Sequence, residues 1–237
     1  MQTIYPALIA AHGIAGLLAL VTYWIAGFAR KGSALHVGSG RVYLFAMLGI
    51  CATAVPMSIA SFLLDKPGIG TFLAYLVVIT ATSMWLGLRA IRMKRSQSGF
   101  RNRSYAVVGG FNLLVALTVL VVGLNMGNAL LMGFSAVGML LGGGMLRRLA
   151  RPIDARNWWL QEHYAAMLGC GVATHIAFLS IGLNRLVQAA GWSLPSSFNL
   201  LAWFAPVAVA VVAGILLDRK YAKPKPASTA VSLERQA

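Results

Sequence analysis

The sequence predicts an all-α protein, a polytopic bundle of seven transmembrane helices with its N-terminus outside and its C-terminus cytoplasmic. Three observations carry that prediction. Of 237 residues, 59% are hydrophobic and 11% charged, with a mean hydropathy of +0.75, whereas a soluble domain carries roughly 25% charge. The apolar residues gather into runs near the ~20 residues that cross a hydrocarbon core about 30 Å thick. The basic residues fall almost wholly in every second loop. Such a composition excludes a soluble enzyme, a disulfide scaffold and a disordered polar chain.

The runs cover residues 4–28, 42–64, 71–91, 105–124, 129–146, 160–183 and 198–217. With no water to satisfy the backbone, helices are the natural spanning form, and nothing alternates like a barrel strand. No basic residue precedes Arg30, so the first run lacks the n-region of a cleaved leader and reads as a span. Pro56 in the second and Pro206 in the last predict kinks. Gly109 and Gly110 in the fourth, Gly138 and Gly142 in the fifth, and Gly169 and Gly171 in the sixth are small residues that let helices approach closely. The fifth run is the shortest. Residues 1–217 thus form one transmembrane domain. Residues 218–237, with Lys223-Pro224-Lys225-Pro226, read as a basic, disordered cytoplasmic tail lying near anionic headgroups.

Orientation follows from the loops. Of 20 Lys and Arg, only Lys66 and Arg185 fall in the alternate set. The rest sit at Arg30–Arg41, Arg89–Arg103 and Arg147–Arg156 and in the tail, which makes that side cytoplasmic. The net charge of +15 therefore reports topology, with the lipid bilayer and not nucleic acid as the partner. Cys51 and Cys170 lie inside apolar runs and read as small packing residues, not as a disulfide or zinc motif.

Ionisable residues at membrane depth are the informative ones. There are four histidines. His12 lies about 12 Å below the outer boundary at 1.5 Å per residue, and His175, on a helix running the other way, lies roughly 10 Å below it. Two imidazoles at one depth on antiparallel helices can face each other, although the helix order that decides this is not readable in the sequence. His36, in the first cytoplasmic loop, and His163, near the start of the sixth helix, form a possible inner pair. Neutral imidazole ligates haem iron and other metals, and Gly13, Gly16, Gly169 and Gly171 would leave room for a porphyrin. The twelve residues between His163 and His175 turn them about 120° apart, which argues against two haems stacked between the same helices.

Blander roles stand beside these. A buried histidine can bond a carbonyl or a hydroxyl such as Thr174 or Thr80, and His36 can simply be solvated. Glu162, the one carboxylate inside a span, can pair with Arg41 or Arg156 at a helix end. Trp158, Trp159, Trp192 and Tyr43 read as interface anchors, with Trp24 and Trp85 of the same kind. No phosphate-binding loop, His-Glu-x-x-His or Gly-x-Ser-x-Gly occurs.

His12-Gly13-x-x-Gly16 and Lys31-Gly32-x-x-x-His36-x-x-x-Gly40-Arg41-Val42-Tyr43 resemble an uncharacterised family of bacterial membrane proteins of unknown function. Trp159-x-x-Glu162-His163-x-x-x-Met167-x-Gly169, Ala177-Phe178 and Trp203-x-x-Pro206 are similar to the same family. The likeness covers both ends of the chain and thins through the third to fifth helices. Where members often carry basic residues after the loop histidine, this chain has Val37-Gly38-Ser39. The resemblance implies a polytopic fold in a bacterial plasma (inner) membrane and no particular reaction. In architecture the plan is also similar to membrane b-type cytochromes.

The leading expectation is a protein binding haem b or a metal, carrying electrons to a redox partner, with His12 and His175 as ligands and His163 and His36 as a further pair. The alternative is a small-molecule or proton-coupled transporter using those histidines as a proton relay. A third is a structural or sensory subunit without chemistry.

Overall fold

The computed structural model describes residues 4–150 and 157–221. Its helices are α1 (Ile4–Phe28), α2 (Ala34–Leu63), α3 (Pro67–Arg92), the single turn α4 (Gln97–Phe100), α5 (Arg103–Asn125), α6 (Ala129–Leu149), α7 (Trp158–Ala177), a π-helical turn (Phe178–Gly182), α8 (Leu183–Ala189) and α9 (Ser196–Tyr221). Seven helical segments are long and apolar enough to span a bilayer, α7 counting together with the π-turn and α8. The chain is a multi-pass membrane protein. The proposed tail from residue 222 onward lies outside the described residues, and α9 carries the helix past residue 217 to Tyr221.

Local chemistry sets where the helices begin and end. Lys31 donates its ammonium hydrogens to the carbonyls of Ala26 and Gly27, the open C-terminal end of α1. Gly32 then turns the chain at φ 82°, and Ser33 caps α2 by accepting the His36 N–H at 3.2 Å. Asn102 and Asn128 cap α5 and α6 in the same way. His36 therefore lies in the first turn of α2 and not in a loop. The apolar run hid this because a cap, not hydropathy, starts the helix.

α3 is the hub, packed against α2, α5 and α7, while α1 leans on α2, α6 on α5 and α9 on α7. Its span is accordingly the most buried and that of α9 the least. Ser58 of α2 donates to the Gly70 carbonyl of α3 at 2.7 Å. Asn112 of α5, fully buried, donates to the Thr82 hydroxyl of α3 at 2.8 Å. The Tyr75 hydroxyl enters the backbone ladder of α6, donating to the Phe134 carbonyl and accepting from the Gly138 N–H. Hydrogen bonds of this kind hold helices together where lipid supplies no hydrophobic drive.

α5 and α6 approach most closely at the predicted glycines. A Cβ on Gly142 would stand 2.6 Å from the Gly109 carbonyl oxygen and 2.7 Å from the Leu113 nitrogen, both backbone atoms that cannot step aside. Gly142→Ala is thus expected to lower thermal stability in detergent by about 1–3 kcal/mol, an overpacking cost. Gly143→Ala, where nothing lies within 4 Å, should be neutral or gain roughly 0.5–1 kcal/mol of helix propensity. Equal melting temperatures for the two variants would refute this reading of the helix contact.

Two residues expected at the lipid interface are interior. Tyr43 is 2% exposed, its hydroxyl 3.2 Å from that of Thr174. Trp158 is 5% exposed, its ring packed at a tilt against Phe100 of α4. Both polar rings sit where neighbouring helices converge, which one-dimensional hydropathy does not register. Trp192 does remain exposed.

Candidate functional site

Two of the histidines lie near the basic ends of the helices, His36 on α2 and His163 on α7. His36 reaches back from α2 to the Ala26 carbonyl of α1 at 2.9 Å. His163 reaches from α7 to the Gly87 carbonyl of α3 at 3.0 Å. The charges of His36 and Lys31 reach His163. Partial burial and the charge of Lys220 hold the Lys31 ammonium below its ordinary pKa. The pair placed second by sequence reasoning thus lies on α2 and α7, each ring tied to a carbonyl of a different helix.

Hydrogen-bond roles follow from the acceptors. A carbonyl oxygen can only accept, so Nδ1 donates in His36, in His163, and in His175, which bonds the Gly171 carbonyl of its own helix at 2.7 Å. His12 Nδ1 lies 2.8 Å from the Thr53 hydroxyl. That hydroxyl spends its hydrogen on the carbonyls of Gly49 and Ile50, so it accepts from His12. In the neutral ring each Nε2 then carries the lone pair that a metal or a proton would use. Thr53, not Thr174 or Thr80, is the hydroxyl partner of a histidine here.

His12 and His175 are not brought together. The ring of His175 packs edge-on against Tyr23 and Trp24, with centroids 5.3 Å from each. Those residues stand eleven and twelve positions beyond His12 on α1, roughly 16–18 Å of axial rise. Gly171 was expected to leave porphyrin space, but the Tyr23 hydroxyl occupies the place of its missing Cβ. His175 Nε2 is buried and has no hydrogen-bond partner. Beside Gly13 and Gly16 nothing lies within 4 Å, so these glycines mark an open helix face and not a helix contact.

Glu162, one residue before His163 and facing another way, holds two guanidiniums. Arg148 Nη1 donates to it at 2.8 Å, and Arg101 Nη2 lies 3.5 Å away. Arg101 also donates to the Arg148 carbonyl at 2.6 Å. Arg41 is therefore not its partner, and Arg156 lies outside the described residues. Arg101 and Arg148 were counted only as topological charges. The usable signal was Glu162 itself, because a carboxylate inside a span demands a nearby base.

Among the described residues, no three His, Cys, Asp or Glu side chains assemble as a metal centre. Cys51 and Cys170 are free and buried, Cys170 packed with Ala19, Tyr43 and Met47. No family model, curated protein or solved structure matches the chain.

Proposed function

We propose that this is a multi-pass protein of a bacterial plasma membrane, N-terminus outside, that holds haem b at its cytoplasmic end between His36 and His163 and passes electrons through it. One observation carries the reading. Two imidazoles on different helices, the charge of one reaching the other, each have Nδ1 tied to a carbonyl and Nε2 uncommitted, which is how an axial ligand is oriented and made more basic. A set of three metal ligands is not needed for bis-histidine iron. Gly40 lies one turn beyond His36 on the same helix face, with nothing within 4 Å of its absent Cβ, and so leaves that face bare for a flat ring. Lys31 supplies a cation for a propionate at the rim. Haem would contribute a one-electron couple, and the chain would contribute the two ligands, their orientation and exclusion of water.

The test is an optical spectrum of the full chain purified in mild detergent, oxidised and then reduced with dithionite, with iron measured on the same sample. A Soret band that sharpens on reduction, with about one iron per chain, is expected for bis-histidine haem b. A colourless, iron-free preparation from haem-replete cells overturns the proposal.

A second reading is favoured by His175. Its buried, unpartnered Nε2 is costly where it stands, and it lies beside the hydroxyl-bearing side chains of Tyr23 and, through Thr174, Tyr43. That arrangement suits a proton relay in a transporter. Proton flux in liposomes that His175→Ala abolishes would support it, and equal flux in variant and parent would remove it.

A further inference from the structure

The carbonyl that holds His36 has a second donor. His36 Nδ1 donates to the Ala26 oxygen of α1 at 2.9 Å, and the same oxygen accepts from the Lys31 ammonium at 3.1 Å. Lys31 donates to the Gly27 carbonyl as well. A carbonyl oxygen has two lone pairs and can serve both donors. Ala26 and Gly27 stand in the last turn of α1, where carbonyls have no partner within the helix. Gly32, at φ 82°, turns the chain just after Lys31, and Ser33 then starts α2 with His36 in its first turn. The meeting of ammonium and imidazole on one oxygen is thus built into the α1–α2 connection.

A cation bound to a carbonyl draws the electron density of the oxygen toward itself. The Ala26 oxygen is therefore a weaker acceptor for His36 than it would be without Lys31, and the imidazole keeps less anionic character. The group bonded to the other ring nitrogen of a ligating histidine sets how basic that ligand is. Charge acts in the same direction. The charge of Lys31 reaches His163, and a fixed cation beside a one-electron couple favours the state with less positive charge.

We infer that Lys31 is a positioning residue: through the Ala26 carbonyl it weakens the Nδ1 hydrogen bond of His36, and so raises the reduction potential of iron held between His36 and His163. The inference rests on the haem reading and names the residue that sets the potential of that site. Two of the three ammonium hydrogens are committed to Ala26 and Gly27, which leaves one for a propionate.

The test has two arms, both on the full chain in mild detergent. In haem-free protein, the proton NMR resonance of the His36 ring N–H, assigned by its loss in His36→Gln, should move downfield in Lys31→Met, because the bond to Ala26 strengthens. Lys31→Arg, which still presents charged donors to the carbonyls, should hold it near the parental position. In haem-loaded protein, Lys31→Met should raise the ratio of oxidised to reduced protein at a fixed potential about three- to tenfold, a midpoint lower by roughly 30–60 mV for one electron. Lys31→Arg should again stay near the parent. A residue that merely closes α1 would lower the melting temperature and leave the midpoint unchanged. The haem-free arm separates the shared carbonyl from a Lys31–propionate contact, which needs haem. A parental protein that takes up no haem overturns the haem reading and this inference with it. An unmoved ring proton in Lys31→Met, or a midpoint equal to the parent's, overturns the inference alone.

Discussion

With haem held as proposed, replacing His36 or His163 with Ala is expected to leave less than about one-tenth of the parental occupancy in the purified protein, because a bis-histidine iron loses half its protein bonds with either change. His12→Ala and His175→Ala should keep parental occupancy. The contrast is what the fold adds, since His175 is enclosed by Tyr23 and Trp24, eleven and twelve residues beyond His12 on α1. His36→Met separates ligation from a merely structural role. A thioether still binds iron but raises the reduction potential, so the variant should retain haem with a more positive midpoint in a redox titration. Retained haem in both His36→Ala and His163→Ala, or its loss in His12→Ala alone, would remove this assignment.

Glu162→Gln is expected to give the largest loss of stability of any single change at the basic end. It leaves the guanidiniums of Arg101 and Arg148 beside each other without their shared counter-charge. Removing one partner of a buried pair costs about 3–5 kcal/mol, and because Arg148 is 43% exposed the expected figure is nearer ~2–3 kcal/mol after solvent screening. Thermal unfolding in detergent, with the haem occupancy of each sample recorded, measures it. Combining Glu162→Gln with Arg148→Gln should recover part of the loss by removing the surplus charge, a coupling that neighbouring sites show and distant ones do not. A Glu162→Gln protein as stable as its parent would mean that water screens the cluster.

The fold was largely legible in the sequence. Each spanning helix satisfies its own backbone, so composition and length reveal it without reference to neighbours. That is why the apolar runs coincide with the observed spans, and why Gly138 and Gly142 were recognisable as contact positions. The ends of the helices were less legible. Ser33 starts α2 about two turns before its apolar run, and the π-helical turn at Phe178–Gly182 lets the sixth span continue to Ala189. Depths counted from the apolar boundaries were therefore displaced.

The site was legible in its residue types and not in its pairing. The histidines and Glu162 stand out because ionisable groups inside a span are costly. Which of them meet depends on how side chains on separate helices fit together. Tyr23 filling the gap at Gly171, His163 reaching the Gly87 carbonyl, and α3 packing against both α2 and α7 are each contacts across long stretches of chain. Helix number and span are local properties, set residue by residue against lipid. The proposed pairing of His36 with His163, and the observed pairing of Arg101 and Arg148 with Glu162, belong to the packing of the helices, where shape and charge must match between segments that the linear order leaves unrelated.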